Sequence, residues 1–259
     1  MKIAVSGKGG VGKTTLVALL ARQFCKQGKH VIVIDADPDA NLAEALGVPS
    51  SESIVPIVEM KELIQERTGA KPDSIGTFFK INPHVSDIPD TYGLDIDGIR
   101  LLVLGAMQKG GGGCACPENT FLRSLLLHLI LQRSEVVIVD MVAGLEHLGR
   151  ATVEGIDAIV TVVEPTHRSV MTAGRVRKLA ADIGVKRVFV VINKVKTEEE
   201  RSELLQQLDG FETIGTIGYS QQIAQADLSG NPIMATSESE IAQVGEVVHR
   251  LEELVQNGA

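Results

Sequence analysis

"KIAVSGKGGVGKTT", residues 2–15, joins a strand-like apolar run to a glycine-rich loop and the start of a helical pattern. Gly7, Gly12, Lys13 and Thr14 satisfy G-x-x-x-x-G-K-[ST], in the strand–loop–helix setting that gives this pattern its meaning. Over residues 7–15, glycine lets successive backbone N–H groups, those of Gly9, Gly10, Val11 and Gly12, point at a phosphate. The helix N-terminus that follows adds its positive dipole end. Lys13 then bridges β- and γ-phosphates, the Thr14 hydroxyl is a Mg²⁺ ligand, and Thr15 lies in the same first turn.

Outward from this loop, short apolar runs at 2–6, 30–35, 99–105, 135–140, 158–164, 187–194 and 213–218 alternate with helix-period segments. The helical patterns lie at roughly 14–27, 119–132, 168–182, 197–208 and 238–256. Such alternation predicts an α/β fold, a single P-loop NTPase domain over residues 1–259 with a mostly parallel sheet and helices on both faces. Residues 48–98, with Pro49, Pro56, Pro72, Pro83 and Pro89, are the least regular stretch and are expected as an insertion over the sheet's carboxyl edge.

Composition narrows the function. The chain of 259 residues suits one large domain, and 44% hydrophobic residues supply a substantial core. Aromatics are 3% and Trp is absent, so that core must be aliphatic. A net charge of −8 argues against nucleic acid and against anionic membrane surfaces as partners. The most apolar segment, residues 121–140, is broken by Arg123, His128 and Arg133 and does not read as a membrane span. The strand-like opening "MKIAVSG" does not read as a secretory leader, and a cytoplasmic location is expected.

Acids stand at strand ends, where ligands of open α/β sheets collect. "VIVIDADPDAN" supplies Asp35, Asp37 and Asp39, the last of which either serves the site or caps the short helix in "ANLAEAL". "EVVIVDMVAG" supplies Asp140, with Gly144 four residues later, and "VVINK" ends in Asn193 and Lys194. Phosphoryl transfer relies on positioning and charge stabilisation, so one well-placed carboxylate suffices.

An ordinary phosphate loop has no need of Lys8. Close to the first glycine, this lysine is badly placed for its own γ-phosphate but can reach phosphates bound by a neighbouring chain. With this lysine, "GKGGVGKTT" resembles the deviant Walker A ATPases, the class of the nitrogenase iron protein and the Min- and Par-type partitioning ATPases. The resemblance implies an ATP hydrolase in which Lys8 acts across a nucleotide-sandwich homodimer, with Lys8, Lys13 and Asp37 as its catalytic set. It implies that Asp37 orients the attacking water and that Asp35 lies near the Mg²⁺ shell. Asp140 would hold a Mg²⁺-bound water, with Gly144 free to turn toward the γ-phosphate. Asn193, with Lys194 beside it, would read the base; a plain strand-end turn is the other reading of these two.

"KGGGGCACPEN", residues 109–119, reads as a loop that cannot hold a helix, and its segment 109–118 carries Cys114 and Cys116. Few cysteines outside a secreted framework suggest thiols or metal ligands. Four thiolates suit nickel, zinc, copper(I) or an iron–sulfur cluster, and this pair supplies two. Cys25, in "RQFCKQ", reads as a small buried hydrophobe. A two-fold dimer brings two pairs together and completes a set of four, the same assembly that Lys8 asks for. A disulfide within the pair would close a tight, strained ring.

"CAC" and "DMVAGLEHLGRAT" resemble the CO dehydrogenase nickel-insertion accessory ATPases, the CooC type, and their relatives that mature acetyl-CoA synthase. Val142 and Gly218 depart from that pattern, which has an acidic residue and a proline there. The resemblance implies Ni²⁺ held by Cys114 and Cys116 of both chains, and CO dehydrogenase or acetyl-CoA synthase as the client. Zn²⁺ binds four thiolates as readily as Ni²⁺. His147 is either a hydrogen-bonding residue of the switch or an accessory ligand. Two other readings stay open: an iron–sulfur scaffold or carrier bridging the dimer, and a spatial-organisation ATPase. Against the latter, the C-terminal segment "IAQVGEVVHRLEELVQNGA" is amphipathic but acidic.

Overall fold

The computed structural model describes residues 1–37, 40–49, 54–70, 79–105, 116–141, 155–229, 231–233 and 237–256. Asp39, the glycines 110–113, Cys114, Val142, Gly144 and His147 lie outside them. The strands are β1 (Lys2–Gly7), β2 (Val31–Asp35), β3 (Leu94–Ile96), β4 (Ile99–Val103), β5 (Val136–Asp140), β6 (Ala158–Val163), β7 (Val188–Val195) and β8 (Glu212–Gly218). They form one sheet in the order β3-β4-β2-β5-β1-β6-β7-β8, parallel throughout except that β3 runs antiparallel to β4. The helices are α1 (Lys13–Lys26), α2 (Leu42–Leu46), α3 (Lys61–Thr68), α4 (Ile88–Tyr92), α5 (Pro117–Leu131), α6 (His167–Ile183), α7 (Glu198–Gln207), α8 (Gln221–Ser229) and α9 (Glu238–Gln256).

The period of two along each strand sorts the aliphatic residues into two cores. Ile3, Val5, Val33 and Ile138 face Leu16, Leu20 and Phe24 of α1 and Val247 and Leu251 of α9. Ala4, Ile32, Val137 and Val139 face Phe121, Leu125 and Leu129 of α5 and Val176 of α6. A smaller cluster joins Val190 and Ile192 to Leu204 of α7 and Leu208, which caps its end. Each such fully buried aliphatic side chain contributes about 1.5–3 kcal/mol. The sheet covered on both faces, and the P-loop domain read from the sequence, are therefore present.

The apolar segment 121–140 is α5 followed by β5, and among the described residues no helix is long and apolar enough to cross a membrane. The amphipathic C-terminal segment uses its valines internally, on α1 and β8. At its start the Ser237 N–H and hydroxyl both donate to Glu240 Oε2, at 2.6 and 2.5 Å, so the Glu240 side chain reaches back as in half of a capping box.

Three elements differ from the sequence reading. Asp97 (φ 50°) and Gly98 (φ 84°) both occupy the left-handed region and turn β3 back onto β4, a two-residue hairpin at the sheet edge. The irregular segment does more than cover the carboxyl edge. It leaves that edge where the Val58 N–H bonds to the Leu104 carbonyl (3.1 Å). Its Leu63, Ile64 and Ile88 then pack beside Phe121, because their apolar surface has no other cover. Thirdly, α5 begins at Pro117, inside the stretch read as unable to hold a helix. A proline at the first helical position gives up an N–H that has no partner there anyway.

Candidate functional site

Gly7 ends β1 at a position no side chain can take, since a Cβ there would lie 2.7 Å from the Val162 carbonyl oxygen of β6. The chain then crosses to Gly12, which caps α1 in the left-handed conformation (φ 93°, ψ 32°) without a capping side chain. The first-turn N–H groups of α1 thus remain available to a ligand. Lys13 opens the helix at 7% exposure, and with Thr14 and Thr15 it lines a cavity of about 600 Å³. Asp37, Asn41 and Glu44 form one wall of this cavity, and Tyr219, Ile223 and Asp227 another.

Strand β7 buttresses the loop. Asn193 Nδ2 donates to the Val11 carbonyl (2.8 Å), Lys194 Nζ to the Gly10 carbonyl (2.5 Å), and the Lys194 N–H to Asn193 Oδ1 (3.0 Å). Lys194 adopts a left-handed backbone (φ 63°) to do so. Because a peptide unit is planar, holding the Val11 carbonyl turns the Gly12 N–H the opposite way. Asn193 and Lys194 both line the cavity, with Asn193 Nδ2 and Lys194 Nζ engaged with the phosphate loop.

Asp35 and Asp140 lie side by side in register, 1% and 0% exposed. Asp35 Oδ1 accepts from the Asp37 N–H (3.1 Å) and Oδ2 from the Leu42 N–H (3.0 Å). Both oxygens implied for the Mg²⁺ neighbourhood therefore shape the turn that carries Asp37 into the cavity. Burial pushes the Asp35 carboxyl up to about 7; the Leu42 N–H opposes this and the neighbouring Asp140 adds to it.

Asp140 is different. Its Oδ2 accepts from the Thr14 hydroxyl (2.7 Å), and its Oδ1 is buried with no partner among the described residues. Burial pushes this carboxyl up to about 6 against the pull of the Thr14 hydrogen bond and the Lys13 charge. A hydroxyl and a carboxylate with an unsatisfied oxygen, beside a lysine at a helix N-terminus, are hard oxygen donors that fit Mg²⁺ in a phosphate site.

Lys8 Nζ pairs with Glu164 Oε1 of its own chain at 3.2 Å, and the Thr166 hydroxyl donates to the same oxygen at 3.4 Å. The sequence reading missed Glu164, whose signal is its place: like the aspartates, it directly follows a buried strand. It also missed the wall formed by β8 and α8, which carries no charge pattern of its own.

Cys116 is the N-cap of α5, and its Sγ accepts from the Asn119 N–H at 3.4 Å. No group of three or more His, Cys, Asp and Glu able to hold a metal occurs among the described residues, and Cys114 lies outside them. Cys25 is not the buried hydrophobe expected. It is half-buried, and its Sγ donates to the Asp97 carbonyl at 3.5 Å, because the β3–β4 hairpin only partly covers this face of α1.

Known proteins resemble this chain in sequence and fold. The chain is 46% identical over 241 residues to an ATP-binding protein of Methanocaldococcus jannaschii, covering 92% of this chain and 93% of the relative. It is 45% identical over 232 residues to the carbon monoxide dehydrogenase accessory protein CooC of Rhodospirillum rubrum, covering 89% and 88%. Among solved structures, a chain of the MinC:MinD cell division protein complex of Aquifex aeolicus superposes with a TM-score of 0.70 at 22% identity, covering 97% and 95%, which shows the shared fold. Residues 2–233 match the CobQ/CobB/MinD/ParA nucleotide binding domain. The chain belongs to this family of P-loop nucleotide-binding ATPases.

Proposed function

We propose that this chain is a cytoplasmic, homodimeric ATPase that carries Ni²⁺ between its two subunits and delivers it to CO dehydrogenase or acetyl-CoA synthase. The similarity to a CO dehydrogenase accessory protein over most of both chains supports this client. The structural observation that carries the reading is Cys116 at the N-cap of α5. First-turn N–H groups and the helix dipole favour a thiolate there, and a thiolate is what a soft metal ion needs. Helix α5 leads directly into β5 and Asp140, so one helix–strand unit connects the thiol to the nucleotide cavity.

In this reading the Gly9–Gly12 amides and Lys13 bind the triphosphate, and Thr15 lines the same pocket. Thr14 and Asp140 would hold Mg²⁺, which when bound neutralises charge on the β- and γ-oxygens. Asp37 orients the attacking water. Lys8, once it leaves Glu164, reaches the triphosphate of the partner chain. Asn193 and Lys194 keep the loop in shape beside the base, which rests on the β8–α8 wall. Delivery requires that nucleotide favours one dimer geometry and that nickel affinity differs between geometries.

Nickel titration of the apo protein in competition with Zn²⁺ tests this. One Ni²⁺ per two chains should bind and be lost in Cys116→Ser and in Cys114→Ser, with ATPase activity largely retained. Nickel bound one per chain in the double Cys→Ser variant would reject the shared site. Brown protein with acid-labile sulfide after anaerobic isolation would favour the iron–sulfur scaffold instead.

A further inference from the structure

Leu19 of α1 lines the nucleotide cavity and also a second cavity, of about 380 Å³. The apolar wall of the second cavity includes Leu46 of α2, Ile99 of β4 and Val244 of α9, each at most 2% exposed. Its charged lining is Arg22 and Lys26, one turn apart on α1, against a single carboxylate, that of Asp97. A chain of net charge −8 thus contains a cationic pocket with a greasy wall.

Arg22 gives the pocket its chemistry. Its Nη2 donates to the Leu46 carbonyl at 3.0 Å. Among the described residues Nε and Nη1 have no hydrogen-bond partner, and no carboxylate lies within ion-pair distance. The guanidinium is half-buried, and burial lowers its pKa against the more distant Asp97. A partly desolvated guanidinium with unused donors is unfavourable until an anion meets it, and its planar fork matches a carboxylate.

We propose that this cavity is an effector site for a compact amphipathic monocarboxylate. The carboxylate pairs with Arg22 and Lys26, and the apolar body lies against Leu19, Leu46 and Val244. The volume is within the range of small-ligand sites. Two elements connect it to the nucleotide. Leu19 is common to both cavities, and α2 offers Glu44 and Ala45 to the first and Leu46 to the second. Occupancy therefore changes nucleotide affinity, and nucleotide changes carboxylate affinity by the same factor. This coupling rests on the first cavity binding nucleotide; the carboxylate site does not.

Octanoate is the probe, and Cys25, which lines the cavity, is the reporter. The alkylation rate of Cys25 by iodoacetamide is read by peptide mass spectrometry, separately from Cys114 and Cys116. Octanoate at ten times its Kd should slow Cys25 alkylation about tenfold, whereas octylamine and octanol should not. Arg22→Gln should weaken octanoate about tenfold or more, the effect of one charge-assisted hydrogen bond. Lys26→Glu, at an exposed position that cannot unfold the chain, should weaken it several-fold. Octanoate should change the affinity for a fluorescent ADP analogue at least about fivefold.

Unprotected Cys25 overturns the site, and equal protection by octylamine overturns its preference for an anion. Protection with unchanged ADP-analogue affinity overturns the coupling. Protection in a chain that binds no nucleotide at all contradicts the proposed ATPase function and leaves the carboxylate site standing.

Discussion

Asp35 and Asp140 end neighbouring strands that read alike: "VIVID" and "VVIVD" each finish a buried aliphatic run on an aspartate. The structure separates them by what their oxygens meet. Asp35 gives both oxygens to backbone N–H groups, while Asp140 gives one to the Thr14 hydroxyl and keeps one unsatisfied among the described residues. A third acid, Glu164, follows β6 and faces the Lys8 ammonium. A carboxylate at a strand end thus takes three parts, set by its neighbours: shaping a turn, keeping one oxygen open beside Thr14, holding a lysine.

The comparison is broken most directly at Asp140. Asp140→Asn keeps the shape and removes the charge, and ATPase activity should fall about 10²–10³-fold, the size typical for losing one charge-stabilising group. The apo protein should respond in the opposite sense. Burial raises this carboxyl from 3.8 to about 6, so the folded state disfavours its charged form. That cost is absent below the unfolded value, grows as pH climbs through 6, and is complete above it. Asp140→Asn should therefore gain up to about 3 kcal/mol at pH 8 and nothing at pH 3. Denaturant melts at the two pH values check this, and equal gains would show that the carboxyl is not desolvated.

Asp35→Asn should behave differently although the change is chemically the same. An amide offers one acceptor oxygen, so either the Asp37 or the Leu42 N–H loses its partner, at a cost of about 1–3 kcal/mol. By the same arithmetic the relief of the buried charge is up to about 4 kcal/mol at pH 8, so the lost partner trims the net gain there to about 1–3 kcal/mol. At pH 3, where that relief is absent, Asp35→Asn should be less stable than the parent. Displacement of Asp37 should lower kcat about tenfold with KM for ATP little changed. A KM effect without a kcat effect would mean that the turn serves binding and not water positioning.

The smallest effect belongs to Glu164. Its pair with Lys8 is partly exposed and worth about 0.2–1 kcal/mol. Glu164→Gln should strengthen ATP-dependent dimerisation at most about fivefold for each lysine released, read by sedimentation, and Lys8→Ala should abolish it. A weaker dimer in Glu164→Gln would mean that the pair supports the closed state instead of competing with it.

Much of this was legible in the residues. Alternation of apolar runs with helix-period segments predicts the sheet and its two helical layers, and residues 7–15 predict the phosphate cavity, because both depend on local periodicity and spacing. The contrast between Asp35 and Asp140 depends on which backbone groups arrive from residues 37 and 42, a tertiary matter. Asp97–Gly98 carries a hairpin signal, but it sits inside a proline-rich stretch where the neighbouring strand is only three residues long. Cys25 is partly open because of that same hairpin, and Arg22 has a cavity only once α1, α2, β4 and α9 have met. Cys116 stands out in the sequence beside Cys114, and its capping role becomes visible only when the helix is seen to start at Pro117.

The central claim is that one dimer couples nucleotide to metal. The most direct measurement is the nickel Kd of the full chain, determined with ADP and again with a non-hydrolysable ATP analogue. The account predicts values that differ at least about fivefold between the two nucleotides, a coupling of about 1 kcal/mol or more, with the difference lost in Lys8→Ala. Equal nickel affinities in the two states would contradict it.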